Sequence, residues 1–155
     1  MSFAAIEVSA DGFAGAAPRE VWRVLTDYER LPEFVPDLES SQVIGRNGCE
    51  VMLRQHAESG VLFARQRIEL VLRVLEQPYS AIDVSYVSGN MQRYDAHWRL
   101  QAGEEAGQAG TRIGYRASLR PDFFVPPLAG PALAQASVER MLQALLREIG
   151  RRTAG

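Results

Sequence analysis

Residues 111–120, TRIGYRASLR, place Thr111, Ile113, Tyr115, Ala117 and Leu119 at one parity and Arg112, Arg116 and Arg120 at the other. This two-residue period marks a strand with one face on a core and the other in water. The preceding strands repeat the division. Across 91–101, Tyr94, Ala96, Trp98 and Leu100 oppose Arg93, Asp95, His97 and Arg99; across 80–87, Ile82, Val84 and Tyr86 oppose Asp83 and Ser85. Across 61–75, Leu62, Ala64, Gln66, Ile68, Leu70 and Leu72 oppose Arg65, Arg67, Glu69 and Arg73. Four strands thus agree on an apolar concave face and a charged convex one. A slip of one residue would carry unpaired charges inward, so the pattern selects its own register.

Two further strands are expected over 38–45 and 49–58. The joints Asn47-Gly48 and Ser59-Gly60 supply the positive φ of tight turns, and Gln77-Pro78 and Ser88-Gly89-Asn90 are further turn signals. Connections this short make neighbouring strands antiparallel. The stretch 103–110, GEEAGQAG, reads as a small, polar, mobile loop. At the N-terminal end Ile6, Val8 and Ala10 alternate with Glu7, Ser9 and Asp11 as a first strand, which 12–17 interrupts. Pro18 suits the first turn of a helix, Glu20 favours its positive end, and Val21, Val24, Leu25 and Tyr28 follow at helical spacing. Residues 31–35 read as a second short helix closed by Pro36. From 127 to 150 the pattern is helical, with Ala134, Val138, Met141, Leu142, Leu145 and Ile149 on one stripe. A strand, two short helices, six strands and one long helix make an α+β chain. A curved antiparallel sheet around the last helix satisfies both apolar faces.

At 155 residues the chain is expected to be a single domain, burying roughly 70% of its unfolded surface. A net charge of −2 and a pI near 5.7 provide no basic field to recruit DNA or an acidic membrane. All 17 basic residues are arginine, which removes lysine Schiff-base chemistry and the phosphate-binding lysine of a P-loop. The lone Cys49 excludes an intrachain disulfide and a multi-cysteine zinc site. With His56 and His97 the only histidines, no metal and no cofactor are expected. No run approaches the roughly 18 apolar residues of a membrane span. The opening MSFAAIEVSADGF has no basic residue before Arg19 and carries Glu7 and Asp11, a strand rather than a secretory leader. A cytoplasmic protein is the expectation.

The concave face also carries Gln55, Gln66, Tyr86, Tyr94, Thr111 and Tyr115. Buried polar groups need partners. Either they satisfy one another within a filled core, or they orient a ligand in an apolar cavity. The residue pattern leaves both readings open.

The segment 17–36, APREVWRVLTDYERLPEFVP, resembles the first helices of the START-like superfamily, in its polyketide cyclase/dehydrase and coenzyme Q-binding branch. Two later pieces agree in order and spacing: GNMQRYDAHWRL at 89–100, and 110–115 followed by RPDFFVPP at 120–127. The resemblance covers essentially the whole chain. It implies a helix-grip fold, a seven-stranded antiparallel sheet curled around the C-terminal helix with a hydrophobic tunnel between them. Carried over to the inward positions, the tunnel would be lined by Val51, Leu53, Gln66, Ile68, Leu70, Val84, Tyr94, Trp98, Ile113 and Tyr115, with Met141 and Leu145 from the helix. The fold hosts lipid and quinone carriers, polyketide aromatase/cyclases and a ribosome-associated toxin, so it does not fix function.

Catalytic candidates are sparse. Asp95 and His97, with Arg93, lie on the convex parity and read as solvated surface; His56 shares the parity of Glu50, Arg54 and Glu58. Cys49 has no base arranged beside it. Trp22 reads as a core residue rather than a guard at the tunnel mouth, and Asp27 as a turn residue bonded to backbone. Arg151 and Arg152 are too few for stable membrane anchoring, at about 1 kcal/mol each. The expected function is binding, sequestration or transport of a hydrophobic small molecule: a lipid, an isoprenoid quinone or an aromatic polyketide. The alternative is a polyketide aromatase/cyclase or dehydratase with Tyr94 or Tyr115 as proton donor. A third reading, a ribosome-associated module acting through the convex arginines, is not favoured because Glu69, Asp83 and Asp95 interleave with them.

Overall fold

The computed structural model describes residues 5–59, 66–123, 125, 127 and 129–154. In chain order the elements are β1 (Ile6–Ala14), α1 (Pro18–Leu25), a 3₁₀ helix (Tyr28–Glu33), β2 (Leu38–Asn47), β3 (Glu50–Ser59), β4 (Gln66–Gln77), β5 (Ala81–Gly89), β6 (Met91–Glu105), β7 (Gln108–Pro121) and α2 (Ala129–Thr153). The strands form one sheet in the order β1-β7-β6-β5-β4-β3-β2, every pairing antiparallel. This is the helix-grip arrangement, with α2, about 37 Å long at about 1.5 Å per residue, lying across the concave face.

The strand alternation survives in three dimensions. In β7, Thr111, Ile113, Tyr115 and Ala117 are buried while Arg112 and Arg116 are exposed. In β6, Ala96 and Leu100 are buried while Arg93 and Arg99 are exposed. Leu62, Ala64 and Arg65, expected at the start of the fourth strand, lie outside the described residues.

The expected mobile loop at 103–110 is instead a hairpin end. β6 and β7 pair through Gly103↔Gly110, Glu104↔Ala109 and Glu105↔Gln108. Only Ala106 and Gly107 turn, with φ of 52° and 80°, the left-handed pair that a two-residue hairpin needs. The small residues have a packing cause: a Cβ on Gly110 would lie 2.1 Å from the Ala14 carbonyl oxygen. Gly12 likewise does not end β1. It pairs with Ile113, and a Cβ there would press on Leu142 and Leu146 at 3.2 Å, so the glycine lets α2 come close. The second short helix begins earlier than 31–35 and is 3₁₀, with Pro32 inside it.

α1 begins at Pro18 and buries Val21, Trp22, Val24 and Leu25; Trp22 packs edge-on against Tyr79 at 5.9 Å between ring centroids. The Thr26 hydroxyl, donating to the Trp22 carbonyl at 2.8 Å, ends the helix. α2 is packed unevenly. Leu142, Leu145 and Ile149 in its C-terminal half are 3%, 2% and 1% exposed, whereas Ala134, Val138 and Met141 upstream are half-buried.

The C-terminal end of α2 is held by charge. Buried Glu148 accepts from Arg151 Nε at 2.9 Å and Arg152 Nε at 2.8 Å, and Arg152 Nη2 reaches Asp27 Oδ2 at 2.8 Å. The hydrogen bonds from Arg151 and then Arg152 hold the Glu148 carboxyl at about 2, against the upward push of burial. Asp27 therefore ties the α1 connection to α2 and makes no side-chain cap to the following turn, which corrects its expected role.

Candidate functional site

Where α2 is half-buried, it roofs an apolar space in two chambers. The outer chamber, about 260 Å³, is walled by Ile6 and Val8 of β1, Ile68 and Leu70 of β4, Leu119 of β7, Phe123, and Ala134, Ser137 and Val138 of α2. The inner chamber, about 170 Å³, lies between Leu53, Leu72, Val84, Ala96, Trp98 and Leu145, with Leu25 and Tyr28 closing it. Val35, Leu38, Gln55, Tyr94, Tyr115 and Met141 line both and form the seam.

Two phenols dominate the polar chemistry of that seam. Tyr94 on β6 and Tyr115 on β7 bring their hydroxyl oxygens to 3.5 Å. The Tyr115 ring is 4.5 Å from that of Trp98, tilted by 52°. Burial pushes both phenols up, Tyr115 well above its ordinary value, so near neutral pH both are protonated donors. The Gln55 amide donates to Ser41 Oγ at 3.1 Å. Two other inward polar groups are satisfied away from the chambers: Thr111 Oγ1 donates to the Ala16 carbonyl at 2.7 Å and the Tyr86 hydroxyl to the Gly89 carbonyl at 2.7 Å.

Asp37 and Glu58 add carboxylates to the outer wall. Asp37 has a left-handed backbone (φ 67°), its carbonyl accepts from the Glu58 amide at 2.9 Å, and its carboxylate meets Arg140 Nη2 of α2 at 3.5 Å. The described residues lining the two chambers include no arginine, histidine or cysteine.

Of the residues expected to line the space, Ile68, Leu70, Tyr94, Tyr115 and Met141 border the outer chamber. Leu53, Val84, Trp98 and Leu145 border the inner one, together with Tyr94, Tyr115 and Met141. Gln66 opens β4, but its side chain lies outside the described residues. Val51 and Ile113 border neither chamber. They face inward, as their parity requires, but are 0% and 2% exposed in the solid core with Val21, Val24, Leu142 and Ile149. Parity sets the face of a strand and says nothing about which end of α2 lies above it.

Val35, Asp37 and Leu38 entered the wall from the short link around Pro36 and the first residue of β2, where no alternation marks which side chains face inward. Ala134 and Val138 belonged to a visible stripe, which is the same for a helix over a core and a helix over a cavity.

The polar trio on β6 stays outside. His97 Nδ1 is 2.7 Å from Asp83 Oδ1 and its Nε2 is 3.4 Å from Asp95 Oδ2; Arg99 and Arg93 complete the network. Burial alone would raise the Asp83 carboxyl, but hydrogen bonds from His97 and Arg99 bring it below its usual range. His56 is half-buried rather than fully exposed, 2.9 Å from Ser40 Oγ and 3.3 Å from Glu69. Cys49 is exposed. Among the described residues no group of three or more His, Cys, Asp or Glu side chains is placed to hold a metal, and no helix is long and apolar enough to cross a membrane.

Residues 14–152 match the family described as polyketide cyclase/dehydrase and lipid transport. Among solved structures the chain resembles a protein of Thermus thermophilus at 21% identity and a TM-score of 0.79, over 95% of this chain and 99% of that one. It resembles the Zhui aromatase/cyclase of Streptomyces sp. R1128 at 19% identity and TM-score 0.73, over 96% and 97%. It also resembles a STAR-related lipid transfer protein of Xanthomonas axonopodis at 17% identity and TM-score 0.76, over 92% and 85%. No curated protein matches the sequence significantly. At these identities the structures speak for the fold, and the family match speaks for descent: the chain belongs to the polyketide cyclase/dehydrase and lipid transport family.

Proposed function

We propose that this chain is one START-like domain that binds and sequesters or transports a hydrophobic small molecule in the two-chambered space beneath α2. The observation that carries the reading is the uneven burial of α2. Its apolar stripe is sealed at Leu142, Leu145 and Ile149 yet half-open at Ala134, Val138 and Met141, over a wall otherwise built for a core. A lipid, an isoprenoid quinone or an aromatic polyketide has the matching chemistry. A ligand burying about 300 Å² of apolar surface gains about 7.5 kcal/mol at about 25 cal/mol per Å², a micromolar constant before the costs of association. Native mass spectrometry of protein purified from cells should therefore find retained hydrophobic mass. No retained mass, and no micromolar binding of N-phenylnaphthylamine or a short-chain quinone, would overturn the proposal.

A polyketide aromatase/cyclase is the second reading, supported by the two phenols at the seam. Their protons are held more tightly than usual, which makes them weak acid catalysts and keeps them protonated as hydrogen-bond donors. Tyr115→Phe separates the readings. An enzyme using that hydroxyl as its acid loses about 100-fold or more in rate, whereas a carrier loses at most one hydrogen bond, about 0.5–1.5 kcal/mol.

A further inference from the structure

We infer that the ligand is an uncharged, compact molecule with a hydrogen-bond acceptor, such as a ketone or quinone oxygen, between two apolar lobes, and that carboxylates and phosphates are rejected. This rests on the binding function proposed above and narrows the class of ligand.

The first argument is proton accounting. The Tyr94 and Tyr115 hydroxyls carry two protons, and a single contact of 3.5 Å joins them. Whichever hydroxyl donates, one proton is left over, and neither hydroxyl has another acceptor among the described residues. A desolvated donor without an acceptor is unfavourable, and a ligand oxygen at the seam removes that deficit. Because both tyrosines line both chambers, the acceptor sits between a part of the ligand against Ile68 and Leu70 and a part against Val84 and Trp98.

The second argument is charge. Taking an anion out of water requires a buried partner. The chain has no lysine, and no arginine or histidine lines either chamber among the described residues. The ionisable carboxylates in the outer wall, Asp37 and Glu58, supply no countercharge to an anion, and Arg140 is engaged with Asp37. The third argument is size. Volumes of about 260 and 170 Å³, taken together, sit near the lower end of the roughly 300–1,000 Å³ of common ligand pockets, which favours a compact ligand.

Three fluorescent naphthalene probes test this on the intact chain. N-phenylnaphthylamine and anilinonaphthalene sulfonate share a skeleton and differ by the sulfonate. Prodan is uncharged and carries a ketone. The parent should bind N-phenylnaphthylamine at least 10-fold more tightly than the sulfonate, a factor equal to about 1.4 kcal/mol; a smaller ratio overturns the exclusion of anions. Tyr94→Phe/Tyr115→Phe, which keeps both rings, should weaken Prodan by about 2- to 12-fold, the range of one neutral hydrogen bond, and shift its bound emission to the blue. N-phenylnaphthylamine should stay within about twofold of the parent, less than one such bond. Equal losses for both probes, or no loss for Prodan, overturn the acceptor assignment. Binding of neither uncharged probe to the parent overturns the function itself, a distinct result. Should the double variant fail to fold, the sulfonate comparison on the parent still decides the charge argument.

Discussion

Truncating α2 at two points along one stripe tests the cavity without knowing the ligand. Ile149 is 1% exposed, sits in the solid core and borders neither chamber. Ile149→Ala removes its transfer energy and leaves space that fixed neighbours cannot fill, which costs about 3 kcal/mol within a usual range of about 2–5. Val138, about three turns earlier, is half-buried and borders the outer chamber. Val138→Ala removes two methyl groups at about 0.8 kcal/mol each if fully buried, so about 0.8 kcal/mol in total at half burial. It adds no cavity term, because the space beside it is already open. Urea denaturation with an unchanged m-value reads both differences directly. In a thermal scan the Ile149 variant should melt about 6–12 °C below the parent and the Val138 variant about 2–3 °C below it, for a chain of this size. Equal losses at the two positions would mean that α2 is uniformly packed, and the reasoning from its uneven burial would be wrong.

Two other perturbations probe the framework. Glu148 has a folded-state carboxyl at about 2 against an ordinary value of 4.5, so its stabilisation is fully present above about 4.5 and is lost as pH falls toward 2. Glu148→Gln should therefore be clearly less stable than the parent in urea at neutral pH and close to it near pH 2; an equal deficit at both would show that the ion cluster is not the source. The Asp95→Ala/His97→Ala variant removes only convex-face groups, should change stability by about 0.5 kcal/mol, and should bind N-phenylnaphthylamine like the parent. Loss of binding with folding intact would mean that the charged face of β6 lines the site.

The strand faces were legible because their cause is local. Each residue of 111–120 carries its own preference for water or core, and the two-residue period sums those preferences into one register. The helix stripe at 134–149 and the Pro18 start of α1 were legible for the same reason. The stretch 103–110 misled because glycine and alanine have two causes with one appearance. Loose chain favours them, and so does backbone crowding of the kind Gly110 meets at the Ala14 carbonyl.

Residue order alone was enough for an antiparallel sheet with an apolar inner face, a long helix to cover it, and arginines on the outer face of β6 and β7, because each follows from hydrophobic periodicity. Where the inner face is filled and where it is hollow was settled by packing in three dimensions. Val51 and Ile113 share the inward parity of Tyr94 and Tyr115, yet the first two meet packed side chains and the second two meet open space. The difference lies in how closely α2 approaches each end of the sheet. Gly12 admits Leu142 and Leu146 at one end, the Glu148–Arg152–Asp27 cluster fastens the C-terminal end of the helix, and the connection through Asp37 borders the outer chamber. Those contacts join residues far apart in the chain, and no local period records the distance between two surfaces.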